Sequence, residues 1–546
     1  MQQRQLLSGN QAIALGAYEA GVAVGAGYPG TPSTEILESL VAYPGVYAEW
    51  SVNEKTALEV GLGAALAGAR ALVTMKHVGL NVAADPLFTA AYVGVKGGLV
   101  VVNADDPQMH SSQNEQDNRH YARAAKLPLL EPADSEEARR FTALAFDLSE
   151  RFDTPVILRS TTRLSHSQSP VDPPRERRQA AGAPRFERNL AKYVMIPAHA
   201  RARHAVVEER LRACAAFAET FPENRFEPGN GDFGVVTAGI SYTYVREVLP
   251  DAAVLKLGLV WPLPEKLIKR FASEHRTIYV VEELDPFLET EIKAMGVAVK
   301  GKALFPRTGE FSPALVRRAF RAEGLAAAET PRLVSRLALP PRPPSLCPGC
   351  PHRTVFKILG RLGVTVSGDI GCYTLGVLPP FQAMDTCVEM GGSIGLAQGI
   401  EIAEGIGGAE GETGTGRTVA VVGDSTFAHS GLTGLVNAAY NGRRLLIIVL
   451  DNSTTAMTGM QPNPFSGERL NGEATVALDY RKLAAAAGLA DGDVAIVDAY
   501  KPKEVEEAIV RFLAARRLSL LVVKGPCVIW KRKREKKTTD GTDRNG

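Results

Sequence analysis

The sequence predicts an α/β chain of three doubly wound parallel-sheet domains. Helical stretches alternate with short apolar β-rich runs, two Pro-rich connectors interrupt that alternation, and the 52 glycines fall in turn-like clusters rather than in a repeat. At roughly 150 residues per domain, 546 residues also suggest three domains. The charge is balanced, with 62 Lys+Arg against 60 Asp+Glu, and gives no reason to expect a nucleic-acid partner. Six cysteines are too few for a disulfide scaffold, and CxxC spacing in such a chain points to metal or redox chemistry. No apolar run of about 18 residues is free of charges or breakers, so no membrane span is expected. The first ten residues, MQQRQLLSGN, hold no apolar stretch of signal-peptide type. A cytoplasmic enzyme is the expectation.

The elements follow in order. In residues 1–165, segment 12–20 reads as a helix and 22–28 as a strand ending in the turn YPGTPST. Segment 54–67 is an Ala/Leu/Gly helix, and 71–75, 98–103 and 155–159 are buried parallel strands. Residues 166–230 form a connector rich in Pro, Arg and Gln, with one helix at 201–220. In the second α/β domain, 231–330, come strand GVVTAG, a helix at 242–249, strand AVLKLGL, helix PLPEKLIKRFAS and strand TIYVVEE. An Ala stretch and LPPRPP close it. The third domain, 345–530, holds two apolar runs with polar ends, VAVVGDS at 419–425 and LLIIVLDNS at 445–453, and a helix at 432–440 between them. Residues 531–546 are expected to be a disordered basic tail.

Ligands of parallel sheets sit at the carboxyl ends of strands. Gly423-Asp424-Ser425-Thr426 follows one strand and precedes a helix, an arrangement that turns backbone N–H groups toward a phosphate. Asn452, 28 residues beyond Asp424, ends the next strand. Asp424, Asn452 and the carbonyl of Thr454 make three hard oxygen ligands for Mg²⁺. The bland alternative is a strand end whose Asp caps a helix. With the Gly-rich MGGSIGLAQG segment, containing Gly391, Gly392 and Ser393, the pattern resembles the thiamine-diphosphate motif GDG followed by NN, with Ser425 and Asp451 as departures.

Cys347 and Cys350 form a CxxC, Cys372 follows in GDIGCYTLG, and Cys527 lies after the last strand in VVKGPCVIW. Four thiolates suit a [4Fe–4S] cluster; structural zinc and unliganded buried thiols are the alternatives. Cys214 in an amphipathic helix reads as a buried thiol, and Cys387 as a wall residue of the cofactor pocket. Two-electron chemistry beside the thiols favours iron–sulfur over zinc, which carries no electrons.

The order YPGTPST, the helix opened by Glu54, KHVGLNVAADPL, CPGCPHR, GDIGCYTLG, GDSTFAHSGLTGL and DNSTTAMTGMQPNP resembles the 2-oxoacid:ferredoxin oxidoreductases over residues 6–530. CPGCPHR with GDIGCYTLG points to the alpha subunits of the indolepyruvate branch. The resemblance implies a transketolase-like thiamine-diphosphate fold: 1–165 of pyrimidine-binding type, 231–330 like the transketolase C-terminal domain, and 345–530 holding the diphosphate and the cluster cysteines. It implies that Thr31 faces the 2-oxoacid and that Glu54 bonds the aminopyrimidine N1′. Asp424, Asn452 and Thr454 would bind Mg²⁺, and Cys347, Cys350, Cys372 and Cys527 one [4Fe–4S] cluster. The implied reaction takes indolepyruvate or another arylpyruvate, CoA and oxidised ferredoxin to arylacetyl-CoA, CO₂ and reduced ferredoxin. A branched-chain 2-oxoacid, or a non-redox thiamine decarboxylase, is the alternative; a scaffold subunit is disfavoured. The ferredoxin-like module usual in this branch is not found after WKRKREKK, so a single cluster is expected. The expected partners are a smaller beta (gamma-type) subunit, in a heterotetramer of two alpha and two beta chains with thiamine held across an interface, and ferredoxin. Lys76, His77 and Arg119 are candidates for the substrate carboxylate, and His352 and His429 for proton transfer.

Overall fold

The structure is a computed structural model that describes residues 4–179, 182–327, 340, 342–406 and 417–542. The chain divides into two compact units, Met1–Ser335 and Arg336–Gly546.

The strands of the first unit are β1 (Gln5–Ser8), β2 (Val24–Gly27), β3 (Tyr47–Trp50), β4 (Ala71–Lys76), β5 (Leu99–Asp105), β6 (Leu129–Leu130), β7 (Val156–Thr161), β8 (Gln168–Val171), β9 (Arg225–Glu227), β10 (Phe233–Ala238), β11 (Ala253–Leu257), β12 (Leu259–Trp261) and β13 (Thr277–Val281). Seven of them form one sheet in the order β12-β6-β7-β5-β4-β2-β3. All its pairings are parallel except β12 with β6. β4, β5 and β7 are buried at every residue, as parallel strands covered on both faces must be. A second sheet runs β13-β10-β11-β9, and β1 pairs with β8.

The expected division at residue 231 separates nothing here. β12 leaves the 231–330 segment to extend the seven-stranded sheet, and Val236, Leu255, Val260 and Ile278 share one apolar core with Val73, Met75, Leu99 and Val101. The expected connector is also structured. It carries β8, β9 and the helix Pro197–Ala218, where Arg203 and Arg210 donate to the carbonyls of Tyr92 and Ala91 and Cys214 is buried.

The second unit holds β14 (Thr365–Gly368), β15 (Thr386–Cys387), β16 (Thr418–Gly423), β17 (Leu446–Asp451), β18 (Val494–Asp498) and β19 (Ser519–Lys524) in one parallel sheet, ordered β15-β14-β16-β17-β19-β18. Alternate residues serve opposite faces. Val419, Val421 and Ile448 pack with Val355 and Ile509, while Ala420, Val422 and Ile447 pack with Ile394 and Leu435. The residues expected as a disordered tail from 531 instead continue the helix Val528–Thr542, in which Lys, Arg and Glu are good helix formers. Residues 543–546 lie outside the described residues. No described helix is long and apolar enough to cross a membrane.

Candidate functional site

Strand order reverses between β2 and β4 in the first sheet and between β14 and β16 in the second. Such switch points open a crevice beyond the carboxyl ends of the strands. The predicted residues gather at these two places.

In the first unit the turn after β2 lies against Lys76, the last residue of β4. A Cβ at Gly30 would sit 3.0 Å from the Lys76 Cβ, so glycine permits this close approach. The turn is pinned by Asn10 Nδ2, which donates to the Pro32 carbonyl at 2.6 Å, and by Ser33 Oγ, which donates to the Gly30 carbonyl at 2.9 Å. Ser111 Oγ reaches the Thr31 carbonyl at 3.4 Å. Glu54 opens the helix Glu54–Leu66, capped by Asn53, and is buried. A Cβ on Gly79 would fall 2.4 Å from Glu54 Oε1, so that glycine is the space the carboxylate occupies.

Lys76 is buried, and its Nζ donates to the Ser111 carbonyl at 2.6 Å. Burial pushes its ammonium down to about 8, against the pull of Asp106 and Glu54. Burial raises Asp106 less than hydrogen bonds from Ser112, Thr162 and Ser111 lower it. Ser111 thus links the Thr31 turn to Lys76, and Glu54 lies within electrostatic reach of the Lys76 ammonium. His77 is fully buried and pushed down to about 4 by burial and by Lys76, so it is neutral at pH 7.

Arg119 is not available to a substrate. Its guanidinium is buried among the carboxylates of Asp117 (2.5 Å) and Glu282 (2.7 Å) and the carbonyls of Glu283 and Asp285. Asp117, His120 and Asp285 do place ligand atoms within 4.8 Å of one another, but Arg119 takes up the Asp117 carboxylate.

In the second unit the expected helix is found at Leu432–Tyr440. Asp424–Thr426 and a wide turn, Phe427–Gly431, lead into it, so Asp424 stands in the first turn of the helical run. A Cβ on Gly423 would meet the Tyr373 ring at 2.7 Å. Asp424 accepts from the Ser425 N–H (2.9 Å) and from Asn463 Nδ2 (3.1 Å). Burial and the nearby Asp451 push its carboxyl up to about 7. Thr455 Oγ1 donates to Ser425 Oγ at 2.9 Å, and Thr426 Oγ1 donates to the Ile370 carbonyl at 3.1 Å.

Asn452 is attached three ways. Its Oδ1 accepts from the Thr454 N–H (3.2 Å), its Nδ2 lies 3.3 Å from His352 Nε2, and its carbonyl accepts from the Cys527 N–H (3.0 Å). His352 is buried and lowered to about 4 by burial, so its ring is neutral at pH 7 and Nε2 can accept from the Asn452 amide. His429 bonds locally, with Nδ1 2.7 Å from Ser430 Oγ.

Gly391, Gly392 and Ser393 are organised by Asp369, a residue the motif reading passed over. Its carboxylate accepts from the N–H groups of Gly391 (2.8 Å) and Ser393 (3.0 Å). Gly391 has φ +90°, and a Cβ there would lie 2.3 Å from the Ser430 Cβ. Asp369 ends β14 as Asp424 ends β16, and the repeated Gly-Asp was the signal for it.

The donor set fits Mg²⁺ bound to a diphosphate. Asp424 and Asp451 are buried carboxylates close enough to repel, with Lys524 Nζ 3.4 Å from Asp451 as the ion pair there among the described residues. A hard divalent cation would relieve that repulsion.

Cys347, Cys350, Cys372 and Cys527 stand within electrostatic reach of one another. Burial pushes Cys372 up to about 11, reinforced by Cys350, Cys527 and Cys347; Cys350 rises to about 11 by burial, with Cys347 and Cys527 adding. Thiols such as Cys350 and Cys372, whose ionisation is opposed by burial and by neighbouring thiols, would be favoured as thiolates by a cationic group bound beside them. Cys387 stands apart, with its Sγ 3.5 Å from the Asp369 carbonyl.

Residues 15–214 match the family described as Pyruvate flavodoxin/ferredoxin oxidoreductase, thiamine diP-bdg, and residues 369–523 match Thiamine pyrophosphate enzyme, C-terminal TPP binding domain. The chain is 41% identical to indolepyruvate oxidoreductase subunit IorA of Archaeoglobus fulgidus, over 98% of this chain and 88% of the relative. It is 43% identical to that of Thermococcus kodakarensis, over 97% and 86%. Among solved structures, a 2-oxoglutarate:ferredoxin oxidoreductase from Magnetococcus marinus shares the fold at TM-score 0.50 and 19% identity, over 59% of this chain and 65% of that one. These likenesses support thiamine-diphosphate-dependent oxidation of 2-oxoacids. With such identity over nearly the whole of both sequences, the chain belongs to the family of indolepyruvate oxidoreductase IorA subunits.

Proposed function

We propose that the chain is the catalytic subunit of a cytoplasmic enzyme that oxidatively decarboxylates indolepyruvate or another arylpyruvate, transfers the acyl group to CoA and passes the electrons to ferredoxin. Bound thiamine diphosphate supplies the electron sink for decarboxylation. Asp424, Asn452 Oδ1 and the Thr454 carbonyl would hold its Mg²⁺, and the N–H groups around Gly391, Gly392, Ser393, Ser425 and Thr426 would face its phosphates. Glu54 would hold and return the proton at the aminopyrimidine N1′. Thr31 and the Lys76 ammonium would orient the 2-oxoacid, with Lys76 meeting its carboxylate. Cys347, Cys350, Cys372 and Cys527 would hold one [4Fe–4S] cluster.

The observation that carries the redox reading over simple decarboxylation is the attachment of Asn452. This metal-ligand candidate is hydrogen-bonded to Cys527 and to His352, which follows the CPGC loop, so the diphosphate end and the thiols share one scaffold. Zinc carries no electrons, so a redox reaction beside these thiols favours an iron–sulfur cluster over zinc. A smaller beta subunit, in a heterotetramer of two of each chain, completes the proposal.

The test is anaerobic co-expression with the small subunit and an assay over a panel of 2-oxoacids with a low-potential acceptor. The expected result is arylpyruvate preference, strict dependence on the acceptor, and about four irons per chain. A colourless protein that releases CO₂ and aldehyde without an acceptor would overturn it.

A further inference from the structure

Cys527 is joined directly to the helix Val528–Thr542, because the Lys531 N–H donates to its carbonyl at 2.9 Å. The next residues are Lys531, Arg532, Lys533 and Arg534, all exposed. Over residues 531–537 the sequence places six cations against one acid, Glu535, in a chain whose overall charge is only +2. Arg534 is occupied, paired with Glu468 and lying 4.5 Å over the Trp530 ring. Among the described residues Lys531, Arg532 and Lys533 make no ion pair. A helix rises 1.5 Å per residue, so these three cations stand within about 6–9 Å of Cys527 along the axis.

We propose that the start of this helix is the docking surface for the electron acceptor, an acidic protein that carries one electron at a time. The inference rests on the four-cysteine reading given above. A carrier has to approach the thiols to receive an electron, and the ground beside Cys527 is strongly basic, so an acidic face is the complement that both steers the encounter and fixes its orientation. Each 2-oxoacid oxidised gives up two electrons. Two carriers therefore dock in succession, each leaving reduced by one electron. Release between the two favours a contact held by exposed charges over one built on a large apolar area. The exposed Ile529 adds a small apolar contact beside the cations.

The test compares the reconstituted wild-type enzyme with the triple variant Lys531→Glu/Arg532→Glu/Lys533→Glu and with the milder Lys531→Gln/Arg532→Gln/Lys533→Gln. The electron acceptors are an acidic ferredoxin and a small electroneutral viologen. Binding of the oxidised ferredoxin is measured separately by calorimetry at low salt and at 0.5 M salt. The expected result is a ferredoxin KM and Kd raised by ~10-fold or more in the Glu variant, less in the Gln variant, with unchanged dye reduction and a wild-type advantage that collapses in high salt. Unchanged ferredoxin KM and Kd in both variants would overturn the docking surface, and more so if the variants instead lose binding to anionic vesicles or to DNA. Absence of dye reduction in the wild type would refute the functional reading itself, which separates the two failures. Should the Glu variant fail to fold, the Gln variant and the salt dependence of wild-type binding decide the matter.

Discussion

Acidification should weaken Mg²⁺–diphosphate binding, and Asp424 sets the size of the effect. Its carboxyl is pushed up to about 7 by burial and by Asp451, whereas the ordinary value is 3.8. Only the ionised form is a ligand for Mg²⁺. With a pKa near 7 the metal-free site is about nine-tenths ionised at pH 8 and one-tenth at pH 6, a tenfold fall in apparent affinity, or about 1.4 kcal/mol. The sign follows from the raised pKa: affinity is full above 7 and is lost as pH falls through 7. An unperturbed aspartate would be ionised throughout this interval and would give a flat profile. The assay is calorimetric titration with Mg²⁺ and thiamine diphosphate from pH 6 to 8, with Asp424→Asn as control. That variant should bind at least tenfold more weakly at pH 8 and lose the pH dependence. A flat wild-type profile, or Asp424→Asn binding as wild type, would refute the assignment of Asp424 as a metal ligand.

Lys76 gives the opposite dependence. Its ammonium, lowered to about 8, is lost as pH rises, so KM for the 2-oxoacid should climb about tenfold per unit above pH 8; a constant KM to pH 9.5, or Lys76→Met with wild-type KM, counts against its role. Glu54→Gln should abolish turnover while calorimetry still records Mg²⁺–diphosphate binding, and a variant that turns over normally removes Glu54 from the mechanism. Cys372→Ser should reduce iron from about four per chain to near zero, so retained iron would dismiss the four-cysteine site. Arg119→Met leaves Asp117 and Glu282 buried without their partner and should cost about 3–5 kcal/mol in denaturant unfolding. A loss below 1 kcal/mol would mean the network is not structural.

What the sequence made legible was whatever is written locally. Apolar runs that end in Gly-Asp or Asp-Asn declare themselves as strand ends, so Asp424 and Asn452 could be located before their neighbours were known. Three cysteines in Pro-Gly settings, Cys347, Cys350 and Cys527, and Cys372 in GDIGCYTLG were equally visible. Long-range partnership was not visible. Arg119 looked like a substrate cation because it falls near a strand end of the first domain, while its partners Glu282 and the Glu283 and Asp285 carbonyls are far along the chain. The expected third domain failed for a similar reason: β12 is three residues long and its partner β6 two, too short for any periodic signal, yet their pairing joins the sheet across residue 231. Asp369 was overlooked because GDIGCYTLG drew attention to its cysteine. The basic end of the chain was misread because a run of Lys and Arg has the composition of a solvated tail while each residue separately favours a helix.

The triple attachment of Asn452 has a consequence for how the protein is filled. Whatever firms up the Cys527 backbone or the His352 ring also fixes the Asn452 amide, so in the proposed arrangement the thiol site would help to prepare the metal site. Were the proposed cluster and cofactor both bound, such coupling would be reciprocal: whatever free energy the one lent to holding the other, the other would return. Filling would then be cooperative, and loss of iron would weaken retention of the cofactor.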